Sequence, residues 1–331
     1  MMLPTRRQFL AQSVAAGTGL VAASSLIAAE PQKPKAQIAI TLDLEMSAQY
    51  PRRDITEWNY EKGNLDEATK DYAVRAAKLV KDLGGVIHFF CVGRVLEQPS
   101  ADWLKEIAAL GCPIGNHTYD HVYLLAKKPE EIQFRFQRSP WLIAGRKPEE
   151  VIRENVRLCT EAMKSRAGIE PNGFRTPGGF ANGLDGRPDL QQMLVDLGFK
   201  WVSSKYPAHA TGKPKEEPTA EVYADIVRAL GTAQPSVYEN GLVEIPMSPI
   251  SDVGAFRTNY WKLAWFLKAI HLAVECAIAG GQLFDFLAHP SCLVVEDPKM
   301  ESLKLICKLA KEAGDKAELV GLDKVYARHK K

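Results

Sequence analysis

Cysteine is sparse and scattered in this chain, and no two of its six cysteines (Cys91, Cys112, Cys159, Cys276, Cys292, Cys307) form a C-x-x-C pair. That spacing leaves out the common zinc-ribbon and dithiol redox motifs. Several of these thiols sit in apolar runs, where cysteine serves as a small core residue. A Gly-rich phosphate turn is missing too, so nothing marks a nucleotide site. Charge of one sign is not in excess: 42 Lys and Arg stand against 40 Asp and Glu. Residues 1–29 hold two arginines and no acid, so the rest of the chain balances. A balanced chain offers no basic face, and no nucleic-acid partner is expected. Beyond residue 30 no run approaches the roughly 18 apolar residues that a membrane span needs. No internal repeat is visible.

What is present begins at the N-terminus. Thr5-Arg6-Arg7-Gln8-Phe9-Leu10 precedes an uncharged run of small and apolar residues from Ala11 to Ala29, and the first acid is Glu30. A basic start, an apolar middle and a small-residue end are the parts of an export signal. The paired arginines resemble the twin-arginine type, which directs folded proteins out of the bacterial cytoplasm to the periplasm or beyond. An N-terminal anchor is the competing reading. Cleavage between Ala23 and Glu30 would leave no stable membrane span, and a disulfide formed after export stays open. Residues 30–35 read as a Pro/Lys-rich linker.

The remainder, 36–331, reads as one domain. The full chain is 46% hydrophobic and 25% charged, a balance that can bury a sizeable core. Short apolar runs at Ile38–Leu42, Val86–Val92, Phe199–Ser203, Leu242–Pro246 and Phe284–Ala288 read as strands. Helical spacing recurs over 66–83, 101–110, 149–166, 188–197, 260–279 and 299–313, several of these ending at glycine. Strands alternating with helices imply a parallel sheet with helical crossovers. Seven or so such units without a nucleotide turn favour an irregular barrel over a doubly wound sheet. Val122–Pro148 and His209–Asn240 break the alternation and read as insertions over one face.

Three clusters of chemically capable residues fall at the C-terminal ends of expected strands, where barrel enzymes gather their active sites. Asp43 and Glu45 end the first strand, two residues apart and so aimed the same way. His117 and His121 are spaced as two imidazoles on one face of a helical turn, a natural pair for one metal. His289 closes the last apolar run and suits an acid/base role. Two histidines and one carboxylate would leave open positions on the metal, as hydrolytic sites do. Trp58, Trp103 and Trp261 read as core rather than sugar platforms, and His88 as structural.

In order and spacing these clusters resemble the polysaccharide deacetylase family (NodB homology, carbohydrate esterase family 4). Thr41-Leu42-Asp43-Leu44-Glu45 is similar to its first motif and His117-Thr118-Tyr119-Asp120-His121 to its H-[ST]-x-x-H. Arg175-Thr176-Pro177-Gly178-Gly179 is similar to R-x-P-x-G, Gly198-Phe199-Lys200-Trp201 to its aromatic fourth region, and Leu287-Ala288-His289-Pro290 to its last. The resemblance implies an α/β fold, a distorted (β/α)7 barrel, and one divalent metal ion, usually Zn2+. It implies Glu45, His117 and His121 as ligands, Asp43 as general base, Arg175 as the group orienting Asp43, and His289 as general acid. The substrate implied is an N-acetylated saccharide or another small amide. Two departures stand out. Leu44 replaces the usual second aspartate, which leaves a swap of the Asp43 and Glu45 roles open. No acid follows Trp201 to orient His289, and Asp252 or Asp285 would have to serve. Other readings are an allantoinase-like hydrolase of a small C–N compound, or a non-catalytic carbohydrate-binding protein on the same fold.

Overall fold

Nine residues, Ala36–Leu44, are buried without a break and form β1. Continuous burial is what a central strand of a parallel sheet requires, since helices cover its outer face. The computed structural model describes residues 34–53 and 62–330. The export signal, most of the linker and Trp58 lie outside the described residues. The remaining strands are β2 (Ile87–Cys91), β3 (Ile114–Asn116), β4 (Phe174–Phe180), β5 (Trp201–Lys205), β6 (Ser236–Val237), β7 (Val243–Glu244), β8 (Leu283–Ala288) and β9 (Ala317–Leu319). The helices are α1 (Glu67–Asp82), α2 (Asp102–Ala109), α3 (Pro129–Ile132), α4 (Phe134–Arg138), α5 (Pro148–Ala162), α6 (Pro188–Asp196), α7 (Ala220–Thr232), α8 (Leu263–Gly280), α9 (Pro290–Glu296), α10 (Glu301–Glu312) and α11 (Leu322–His329).

The strand order is β6-β7-β5-β4-β3-β2-β1-β8, with β9 joined to the start of β1. Every pairing is parallel except β6 with β7. The sheet curls until its ends meet. Ser248, just past β7, donates its N–H to Asp285 O at 3.0 Å and accepts the Asp285 N–H on its hydroxyl at 2.8 Å. This is the α/β distorted barrel expected from the sequence.

The interior is filled from several strands. His88 stacks on Phe90, and Trp201 meets both rings edge-on. Gly173, just before β4, sits at φ +78°, and a Cβ there would lie 1.9 Å from the Trp201 ring. Only glycine tolerates both that torsion and that contact. His88 is structural, as expected: its Nε2–H donates to Asn172 O at 2.9 Å, and its Nδ1 accepts the Leu322 N–H. Trp261 is buried. Trp103 packs partly buried against the main core. The described cysteines are all free.

Three expectations change. No run beyond residue 30 is expected to reach membrane-spanning length, yet helix α8 is long and apolar enough to cross a membrane by length and composition. In this fold it buries Phe266, Ala269, Ile270, Ala273, Val274 and Ala277 against the barrel. Residues 209–240 do not break the alternation of strands and helices, since they contain α7, opened by Thr219 accepting the Val222 N–H. Residues 122–148 build a second core, in which Val122, Leu124, Ile132 and Phe136 pack with Val156 and Phe174.

Candidate active site

Strand β1 delivers Asp43 in its last turn of pleat and Glu45 one residue beyond its end; both are buried. The chain leaving β3 brings His117 and His121 beside them, but not on a helix. Thr118 and His121 have φ of 60° and 58°. Local side chains outcompete the helical pattern here. Asn116 Oδ1 accepts the Thr118 N–H at 2.8 Å, Asn155 Oδ1 accepts the Asp120 N–H at 2.7 Å, and Thr118 Oγ1 accepts the Val122 N–H at 3.0 Å. The expected helical turn is therefore replaced by a loop, and its two left-handed residues turn both imidazoles to one point, ring centres 5.1 Å apart.

Glu45, His117 and His121 present ligand atoms that all lie within 4.8 Å of one another. Glu45 Oε2 lies 2.7 Å from His121 Nε2 and 3.9 Å from His117 Nε2, yet this buried oxygen accepts no hydrogen bond. His117 Nδ1 is 2.9 Å from the Arg175 carbonyl. A carbonyl only accepts, so the proton sits on Nδ1 and Nε2 keeps its lone pair facing Glu45. Burial pushes His121 down to about 4 and also lowers His117, against the pull of the nearby carboxylates. Both rings are thus neutral, the form that ligates metals. Burial alone would raise Glu45, but His121 and Lys62 outweigh it and hold the carboxylate well below its ordinary range. Two neutral imidazoles around an orphaned carboxylate oxygen fit a divalent ion of the zinc class.

The other Glu45 oxygen is taken. Lys62, itself buried, donates from Nζ to Oε1 at 2.5 Å. Arg175, at the start of β4, is wholly buried under Asp43. Its Nη1 donates to Asp43 Oδ1 (3.1 Å) and Thr41 Oγ1 (2.8 Å), its Nη2 to Asp285 Oδ2 (2.7 Å) and its Nε to Ser203 Oγ (3.2 Å). Its plane lies 4.2 Å from the Phe90 ring centre. A buried guanidinium survives only when paired this fully.

His289 caps α9, and Asp252 binds it twice, accepting its backbone N–H at 2.9 Å and facing its Nδ1 at 3.0 Å. Its Nε2 reaches to 3.4 Å from Glu45 Oε1. Burial works against the imidazolium, but Asp252 and Glu45 outweigh it and raise His289 to about 10. Of the two acids considered for this place, Asp252 orients His289 and Asp285 belongs to Arg175.

All six expected site residues thus converge on one region, five of them lining a cavity of about 260 Å³ with Arg175 beneath. The remaining walls come from Thr176, Gly178 and Gly179, Tyr206, Leu287, Lys62 and the segment from Met247 to Arg257. The two segments expected as insertions over one face do not line it, and their apolar residues pack into the cores. Lys62 and Arg257 carried no signal in the sequence, as lone basic residues away from any motif.

Residues 60–199 match the family described as polysaccharide deacetylase. No curated protein matches the chain in sequence. Among solved structures, a candidate polysaccharide deacetylase from Mycobacterium smegmatis is 16% identical, over 90% of this chain and 91% of its own, with a TM-score of 0.56. The α-amylase AmyC from Thermotoga maritima is 10% identical over 90% and 75%, with a TM-score of 0.52. The polysaccharide deacetylase Bc1974 from Bacillus cereus is 14% identical over 87% and 92%, with a TM-score of 0.44. Likeness at such identities is likeness of fold.

Proposed function

We propose that this chain, whose residues 60–199 match the polysaccharide deacetylase family, is a metal-dependent hydrolase that removes an N-acetyl group from a polysaccharide or cell-wall sugar. The observation that carries this reading is Glu45 Oε2, a buried and unpartnered carboxylate oxygen facing two neutral imidazoles. Glu45, His117 and His121 would hold the ion, with Zn2+ the first choice for two nitrogens and one oxygen. When bound, it supplies Lewis acidity, polarising an amide carbonyl and making water a stronger acid.

The chain's own groups do the rest. Asp43 keeps Oδ2 3.7 Å from His117 Nε2, beside the ligand set, and accepts the proton of the attacking water. Arg175 occupies Asp43 Oδ1, which fixes the oxygen left free for that task. His289 is held protonated by Asp252 and passes its proton from Nε2 to the departing amine. Met247 and Leu287 give the cavity an apolar stretch of wall. A second reading, hydrolysis of a smaller C–N compound, draws support from the cavity, whose volume is at the low end for ligand sites. Export by the twin-arginine route, to the periplasm or beyond, belongs to the same proposal.

The test is metal content together with acetate release from chitooligosaccharide and peptidoglycan. About one divalent ion per chain is expected, lost in His117→Ala or His121→Ala along with activity. A metal-free wild type with undiminished acetate release would overturn the reading.

A further inference from the structure

The charges around the cavity pair off, with one exception. Asp43 and Asp285 share Arg175, Glu45 holds Lys62, and Asp252 holds His289. Arg257 lines the same cavity, half-buried, and among the described residues its guanidinium makes no ion pair or hydrogen bond. Its backbone, by contrast, is fastened. Arg53 donates to the carbonyls of Phe256 (2.9 Å) and Arg257 (3.5 Å), and Asn259 ties back to Gly254. Arg257 also stands near enough to Lys62 for the two positive charges to repel. A rigid mount that keeps an unmatched guanidinium beside a buried ammonium costs stability. It is compensated when an anion arrives.

We infer that the cavity takes an N-acyl substrate bearing a carboxylate a few bonds from its amide, and that Arg257, with Lys62 behind it, receives that carboxylate. The inference rests on the deacetylase reading for the amide and on Arg257 alone for the anion. A planar guanidinium can hold a carboxylate through two parallel N–H···O bonds, which gives direction as well as charge. With the amide carbonyl over Glu45, His117 and His121, an anion at Arg257 would orient the N-acyl group towards His289. A substrate without the carboxylate would leave Arg257 unmatched in the closed complex.

N-acetylmuramic acid and N-acetylglucosamine differ only in a lactyl ether that carries a carboxylate, and so form a matched pair of probes. Turnover of both would be measured on the wild-type enzyme, and binding by calorimetry on Asp43→Asn. The acid is expected to be favoured about 10- to 100-fold, the worth of one charge-assisted contact. Arg257→Gln should abolish that preference by weakening the acid far more than the neutral sugar. Arg257→Lys should restore part of it. Since the guanidinium has no partner among the described residues and is repelled by Lys62, Arg257→Gln should keep the wild-type circular dichroism and melt no lower than the wild type. Equal use of both sugars by the wild type, or an undiminished preference in folded Arg257→Gln, would overturn the inference. Selective binding of the acid without acetate release from either sugar would support the anion site and reject the deacetylase reading.

Discussion

Asp43 and Glu45 are two residues apart and chemically alike, yet their partners divide them. Arg175 saturates one oxygen of Asp43, while Glu45 turns an unpartnered oxygen to two imidazoles. Asp43→Asn should therefore keep its metal and lose on the order of 10²–10⁴-fold in rate, the worth of a general base. Glu45→Gln should bind metal more weakly and recover part of its activity in excess metal. Metal content and activity on each variant decide the matter, and the opposite pattern would exchange the two roles. Asp252 makes a second distinction. If it orients a protonated His289, Asp252→Asn should slow amide hydrolysis by about 10²-fold. It should slow an acetyl ester with a nitrophenolate leaving group far less, because that group departs without a proton. Equal losses on both substrates would count against His289 as the acid.

Among the elements, β2 carries a strain-free but pH-sensitive joint. His88 sits between the loop before β4 and the start of α11. Burial pushes it from 6.5 down to about 3. In that window the unfolded chain binds a proton that the folded chain refuses. Stability from this group is thus complete above about 6.5 and declines as pH falls, by up to about 1.4 kcal/mol per unit. The depressed His117 and His121 act in the same direction in metal-free protein. His88→Gln, which can still donate and accept, should show a shallower fall in urea midpoint between pH 6.5 and 5 than the wild type. Identical slopes would show that His88 already titrates normally. The β3-to-His121 loop teaches something different. Its i, i+4 histidines converge because Asn116 and Asn155 hold an irregular turn, so the spacing foretold the pair while the element was another.

For the whole molecule, the barrel gathers residues from opposite ends of the chain. Glu45 and His289 meet because β1 and β8 are neighbours across the sheet. The matched family segment, 60–199, includes the histidine pair and Arg175 but neither Asp43, Glu45 nor His289. Those three reach the site through the fold. The twin-arginine reading also concerns the full chain. Replacing Arg6 and Arg7 by lysine keeps the charge but not the receptor-read pair, so the precursor should accumulate in the cytoplasm. Undisturbed export of that double variant, followed by fractionation, would leave an ordinary signal or an anchor as the explanation.

Much of this was legible in the linear order of residues. Apolar runs and helical spacing located five of the nine strands (β1, β2, β5, β7 and β8) and the longest helices, because burial of a parallel strand or an amphipathic helix is a local pattern. Carboxylates and histidines at strand ends marked Asp43, Glu45, His117, His121 and His289, since such groups are costly there unless used. The short β6 and β9 and the helices α7 and α11 carried too little pattern to stand out. What only the folded chain decided were pairings between distant residues: Asp252 rather than Asp285 behind His289, Lys62 on Glu45, and Arg257 without a partner among the described residues at the cavity. Electrostatic partnership depends on distance in space, falling off within a few ångströms, and nothing in sequence separation encodes it.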